Sequence, residues 1–300
     1  MEFEWKILDF FDQFRNKFFD FFNYFVSDIF GSILLVVIFL LIYWLVDKEK
    51  GRAIGFTFIT STLVNNLIKG FVNRKRPFEY ENKGYLRKLQ NSTLSDGATG
   101  TSFPSGHTQN SSALYVSVML EYPGKRFKGL TVVLAILIFS VAISRLYLGV
   151  HFPSDVLVGL VIGIAISFII VYLHHRLGKK CFYLYILFCI VFLPCLFFER
   201  FGRDFIKSYG LLVGFTLGTI LEEKTVDFHC RVSFGRKLIR LVIGLVIVGG
   251  AYLVYSIVPK EVHYNKYFTL GMHFLIAFLG VYVVPLLFNL LENGASKKKC

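Results

Sequence analysis

The sequence predicts an all-α protein, a polytopic membrane helical bundle, on three observations. Of its 300 residues 55% are hydrophobic, and the mean hydropathy of +0.58 is too high for an ordinary soluble domain. Uncharged apolar runs recur along the chain, most of them near the roughly 20 residues that an α-helix needs to cross hydrocarbon. The net charge of +13 is carried by Lys and Arg clustered at the ends of those runs, where lipid headgroups account for them. That distribution argues against nucleic acid as a partner.

The elements follow in order. Within residues 1–28, Ile7, Phe11, Phe14, Phe18, Phe21 and Phe25 recur on one helical face, and Asp9, Asp12, Gln13, Asn16, Asp20 and Asn23 occupy the other. This is an amphipathic helix that lies on the membrane surface or packs against the protein's own bundle. Glu2 and Glu4 stand where a cleavable signal peptide would carry basic residues, so none is expected. Nine candidate spans come next: residues 29–46, 53–68, 106–120, 129–144, 156–173, 181–198, 208–221, 241–259 and 267–291. The shorter ones must extend into their polar flanks to span. The organisation predicted is therefore an N-terminal amphipathic helix (1–28), a membrane core (29–200) and further C-terminal transmembrane helices (201–300). The five cysteines show no C-x-x-C spacing, and Cys181, Cys189 and Cys195 share one apolar run, so they read as packing residues.

Three polar clusters interrupt this pattern. They are Lys69 with Arg76 and Pro77 (K-x6-R-P), then Pro104-Ser105-Gly106-His107, then Ser144-Arg145 with His151 and Asp155 (S-R-x5-H-x3-D). Lys69 ends the second span, His107 begins the third, Arg145 ends the fourth, and His151 and Asp155 begin the fifth. Alternation across the membrane therefore places all three clusters on one face. Lys and Arg outnumber those of that face on the opposite side, which puts the motif face outside the cytoplasm and the C-terminus inside.

Each cluster has a chemistry and a blander alternative. His151 and Asp155 are four apart, so on a helix the carboxylate can accept from Nδ1–H and leave the Nε2 lone pair forward. That makes His151 a candidate nucleophile toward phosphorus. Alternatively the pair merely caps the fifth span. Ser105 and Gly106 open a helix whose free N–H groups suit an anion, and His107 could protonate a leaving oxygen. The alternative there is an ordinary Ser cap beside a surface His. Lys69, Arg76 and Arg145 supply cations of the kind that stabilise a transferring phosphoryl group. Arg145 directly follows an apolar run, where a charge reads as functional. Arg74, Lys75, Lys83, Arg87 and Lys88 read instead as residues snorkelling to headgroups.

Taken together, these motifs resemble the type 2 phosphatidic acid phosphatase superfamily, the lipid phosphate phosphatases, over residues 69–155. The resemblance implies a six-helix phosphatase core, with about three extra C-terminal helices beyond it. It implies His151 as nucleophile, Asp155 as its partner and His107 as the acid that protonates the leaving group. Lys69, Arg76, Ser105, Gly106, Ser144 and Arg145 would hold the phosphate. It implies neither metal nor cofactor, and the motifs contain one carboxylate and no acidic cluster for magnesium. The substrate class implied is a lipid phosphate or diphosphate: a prenyl diphosphate, phosphatidylglycerophosphate or phosphatidate. A sugar-phosphate phosphatase similar to glucose-6-phosphatase, and a catalytically inactive lipid-binding or transport protein, are the competing readings. The polar segment 78–103, with Asn91, Ser92, Thr93, Asp96, Gly97 and Gly100, is expected either to border the leaving-group side of the pocket or to serve as a passive connector. His263, His273, Asn289 and Glu292 in the last spans show no metal spacing, and those spans are expected to pack on the core or form a homodimer surface, with a second site as the alternative. His174-His175 and His229-Cys230 read as isolated polar residues at helix ends.

Overall fold

A computed structural model describes residues 2–80 and 100–297. Among the described residues the chain is helical, without strands. Most of segment 78–103, including Asn91, Ser92, Thr93, Asp96 and Gly97, lies outside them, as do Lys83, Arg87 and Lys88. The helices are α1 (Glu2–Asp12), α2 (Lys17–Val46), α3 (Lys48–Val72), α4 (Gly106–Glu121), α5 (Lys128–Tyr147), α6 (Pro153–Leu177), α7 (Cys181–Phe192), α8 (Gly202–Leu221), α9 (Phe234–Ile257) and α10 (Lys266–Glu292). The amphipathic N-terminal stretch is interrupted at Asn16, whose side chain accepts from Phe19 N at 2.9 Å and so caps α2.

Every predicted span falls on a helix. Six helical stretches among the described residues are long and apolar enough to cross a membrane, and one of them, Pro153–Phe197, contains two of the predicted spans. The remaining two, on α3 and α4, are less apolar because they carry Ser61, Asn65 and Lys69, and Gln109, Asn110 and Ser112. These helices carry Lys69 of the first cluster and begin at Gly106 of the second.

The chain divides into two compact units. The first comprises Met1–Val37 and Thr60–Tyr172 and contains all three clusters. Its helices are drawn together by small residues. A Cβ added to Gly159 of α6 would meet the Ser105 carbonyl at 2.8 Å, and one on Gly163 would meet the Gln109 carbonyl of α4 at 2.3 Å. Close approach without a hydrophobic driving force is how membrane helices associate. Buried amides add a second tie: Asn65 Nδ2 donates to Gln109 Oε1 (2.9 Å), and Gln109 Nε2 donates to the Ser61 carbonyl (2.9 Å). In α2 a wide turn at Val26–Ile33, where Leu34 N reaches back to the Ile29 carbonyl, sets Gly31 against the His107 ring.

The second unit comprises Ile38–Ile59 and Leu173–Cys300. Trp44 Nε1 donates to the Gly280 carbonyl (2.8 Å) and Tyr43 OH to that of Val281 (2.9 Å), so both polar tips find partners in a buried setting. Arg52 pairs with the fully buried Glu222, and Arg240 binds Glu292 through two contacts of 2.8 and 2.9 Å. Gly210 and Gly214 of α8 let the α10 backbone approach, as Gly159 and Gly163 do in the first unit.

Candidate active site

The turn between α5 and α6 carries the third cluster. Pro153 opens α6 with a fixed φ, and Asp155 in the first turn accepts from Phe152 N at 2.8 Å. His151 and Asp155 are almost wholly buried, at 1% and 0% exposure. Their approach is less direct than the i, i+4 spacing predicts: His151 Nδ1 lies 3.6 Å from Asp155 Oδ2, beyond hydrogen-bond reach. Ser102 Oγ bridges them, donating to Asp155 Oδ2 at 2.5 Å and lying 3.4 Å from Nδ1. Because that hydroxyl proton is committed to Asp155, its oxygen is left to accept from Nδ1–H. The network therefore assigns the tautomer with a free lone pair on Nε2.

Arg76 meets that lone pair. Its Nη1 lies 3.4 Å from His151 Nε2 and donates to the Val150 carbonyl (3.1 Å), while Nε donates to the Gly100 carbonyl (2.8 Å). The second cluster is tied to the third through the backbone, since Ser105 N donates to the Asp155 carbonyl at 3.0 Å. Ser105 sits at the cap position of α4 without capping it; its hydroxyl pairs with Thr108 Oγ1 (3.1 Å). Gly106 brings the helix start against Asn65, whose Oδ1 would lie 3.2 Å from an added Cβ. Arg145, buried at the end of α5, donates from Nη1 to Ser27 of α2, and its Nε is buried with no hydrogen-bond partner among the described residues. Lys69 in the last turn of α3 and His107 in the first turn of α4 remain partly exposed. Ser144 is the exception among the predicted residues: its hydroxyl is turned into its own helix, donating to the Val141 carbonyl at 2.7 Å.

These groups act on His151 as one electrostatic cluster. Burial holds its pKa well below the ordinary value of 6.5, and the charges of Arg76, Arg145, Lys69 and His107 push in the same direction. Burial and these cations thus favour the neutral imidazole, with Nε2 toward Arg76.

Arg74 differs from expectation. It does not snorkel: its guanidinium lies 4.1 Å from the Phe152 ring centroid and donates to Asp155 Oδ1 (2.8 Å), Ser154 Oγ (2.6 Å) and Glu4 Oε2 (2.9 Å). Two carboxylates and an aromatic face outcompete headgroup solvation for it. Burial works to raise the Glu4 pKa, but hydrogen bonds from Ser154 and the Arg74 charge outweigh it and hold Glu4 below its usual range. Ser102 and Glu4 carry no spacing signal. Arg74 had one, its place within Asn73-Arg74-Lys75-Arg76, but several neighbouring cations shared it.

Comparison with known proteins identifies a family. The PAP2 superfamily matches residues 50–179, and the transmembrane extension of PAP2 superfamily phosphatases matches residues 206–297. The undecaprenyl-diphosphatase BcrC of Bacillus subtilis is 30% identical over 142 residues, 46% of this chain and 67% of that protein. The chain belongs to the PAP2 superfamily. The C-terminal helices, expected to lie beyond the resemblance, instead fall within a recognised extension of PAP2 proteins. Phosphatidylglycerophosphatase B of Bacillus subtilis is 29% identical over 126 residues, 40% of this chain and 56% of that protein. An undecaprenyl-diphosphatase of Sulfolobus acidocaldarius is 34% identical over 125 residues, 40% and 55% of the two chains. The matches to these last two thus span little more than half of each relative. No solved structure matches the chain.

Proposed function

We propose that this PAP2 protein is a metal-independent membrane phosphatase that hydrolyses a phosphomonoester or diphosphate on a lipid. The observation that carries the reading is the paired environment of His151: Nδ1 backed by Ser102 and Asp155, Nε2 opposite Arg76. Nε2 attacks phosphorus, the bond to the leaving oxygen breaks, and His107 delivers a proton to that oxygen. Water, deprotonated by His107, then attacks the phosphohistidine, and phosphate leaves as His151 regains its lone pair. Lys69, Arg76, Arg145 and the α4 N-terminus at Ser105 and Gly106 stabilise the equatorial oxygens. Ser144 would join them after its hydroxyl rotates away from Val141.

The substrates proposed are a prenyl diphosphate, phosphatidylglycerophosphate or phosphatidate. The relatives named for undecaprenyl diphosphate and phosphatidylglycerophosphate support the first two. Acyl or prenyl chains stay in the bilayer while the headgroup enters from the face we place outside the cytoplasm. The test is release of phosphate by the purified protein from a panel of prenyl, glycerol and sugar phosphates, with His151→Ala as control. Turnover of lipid phosphates that the control lacks supports the reading. Equal or faster turnover of a soluble sugar phosphate redirects it to the sugar-phosphate class, and near-normal activity of the control removes the nucleophile.

Activity should persist in chelator and fall with vanadate, which mimics five-coordinate phosphorus. Strict dependence on magnesium would contradict the proposal.

A further inference from the structure

The Asp155 carboxylate is held from both sides. On Oδ2 it receives Ser102 and Phe152 N, which belong to the site itself. On Oδ1 it receives Arg74 Nη1 at 2.8 Å, and Arg74 is in turn held by the N-terminal helix. Glu4 of α1 accepts from Arg74 Nη2 at 2.9 Å through Oε2. Its other oxygen accepts from the Ser154 hydroxyl (2.5 Å) and the Ser154 N–H (3.3 Å). The carboxylate therefore also sits at the N-terminus of α6, where the helix dipole favours negative charge. Trp5 reinforces the docking, packing edge-on against Phe152 (5.0 Å between centroids) and Tyr80 (5.5 Å).

The arrangement differs from a passive tether in two respects. Arg74 uses both terminal nitrogens, one on each carboxylate, a fork that a lysine cannot reproduce. Its side chain retains only 20% exposure and Glu4 15%, so the pair is screened less than a surface contact. Arg74 directs both Nη1 hydrogens to Asp155 and Ser154 and one Nη2 hydrogen to Glu4. Its direct contact with the site is through Asp155 Oδ1.

We propose that α1 belongs to the catalytic apparatus: Glu4, acting through Arg74, is a positioning residue that fixes Asp155 and thereby the His151 ring. This rests on the reading of His151 as a nucleophile oriented by Asp155. Loss of Glu4 frees Arg74 to leave Oδ1, and Asp155 is then constrained on one oxygen only. Misplacement of a reacting group by about 1 Å can cost on the order of 100-fold in rate, so a drop of roughly 10- to 100-fold in kcat is expected.

The experiment compares Glu4→Gln, Arg74→Gln, Arg74→Lys, their Glu4→Gln/Arg74→Gln combination and Asp155→Asn in the full-length protein, with kcat, KM and melting temperature measured for each. The proposal expects Glu4→Gln and Arg74→Gln to lower kcat with KM within about twofold, and Arg74→Lys to recover only part of the loss. The double variant should be no slower than Arg74→Gln alone, because both changes break the same chain of contacts. A melting temperature near the parent's in Glu4→Gln excludes general unfolding, and this variant alone decides if Arg74→Gln fails to fold. The proposal is overturned if Glu4→Gln keeps full kcat while Asp155→Asn is inactive, or if KM rises and kcat does not. If Asp155→Asn itself turns over normally, the orienting role of Asp155 is what has failed.

Discussion

Ser102 changes how the His–Asp pair is understood. At 3.6 Å the carboxylate cannot accept from Nδ1–H directly, so the orientation of His151 depends on a hydroxyl that joins the two. Ser102→Ala should therefore lower kcat by on the order of 10-fold or more with little change in KM, read from steady-state kinetics on one lipid substrate. A rate within twofold of the parent would show that Asp155 closes on His151 unaided. The depressed His151 pKa makes a second prediction. In the mechanism proposed above its neutral form is the nucleophile, so kcat/KM should hold as pH falls through 6.5 and decline only at the lower folded-state value. Bound phosphate favours the imidazolium, so the acid limb of kcat should lie at higher pH than that of kcat/KM. Stability runs with the same sign. Below 6.5 the unfolded state binds a proton that the buried ring does not, so stability falls as pH falls from 6.5 toward the folded value. An acid limb of kcat/KM at or above 6.5 would mean that the ring is hydrated and charged in the free protein.

Two glycines of α6 set its approach to α4, the helix whose first turn carries His107. Alanine at Gly163 would put its Cβ 2.3 Å from the Gln109 carbonyl, a backbone atom that cannot turn aside. Gly163→Ala should cost about 1–3 kcal/mol and lower the melting temperature, and it should slow catalysis more than Gly235→Ala, where nothing lies within 4 Å. Equal effects at the two positions would deny the crossing any special role. The helices themselves were legible because uncharged length is a strong signal, and the three clusters because their residue types and spacing recur together. What the sequence hid is long-range. Glu4 and Ser154 are 150 positions apart, and only the packed chain brings them to 2.5 Å. Arg74 was hidden for another reason: among Arg74, Lys75 and Arg76, pattern alone cannot separate a cation that solvates a headgroup from one that grips two carboxylates. The break at Asn16 was legible in principle, since Asn is a good cap, but the phenylalanine period continues through it.

For the membrane-embedded chain as a whole, sidedness is the property with the widest consequence, because it decides which pool of lipid headgroups the pocket meets. Lys69, His107, Arg145 and His151 stand at the ends of successive helices, so they share one face if every predicted span crosses. Lys48, Lys50 and Arg52, then Lys125, Arg126 and Lys128, then Arg176, Lys179 and Lys180 flank the opposite ends of those helices. Insertion retains such clusters in the cytoplasm, so the arrangement proposed above has the His151 cluster outside. On that proposal the C-terminus lies inside, after an odd number of crossings. This is tested by replacing the five native cysteines and returning single cysteines at Lys75, Lys125 and Lys179. In intact cells a membrane-impermeant thiol reagent should label the Lys75→Cys variant and spare the other two until the membrane is permeabilised. Labelling of the other two alone would invert the topology and place the substrate pool in the inner leaflet. Labelling at both faces from outside would mean that one of the two less apolar helices, α3 or α4, does not cross, and that the clusters converge without shared parity.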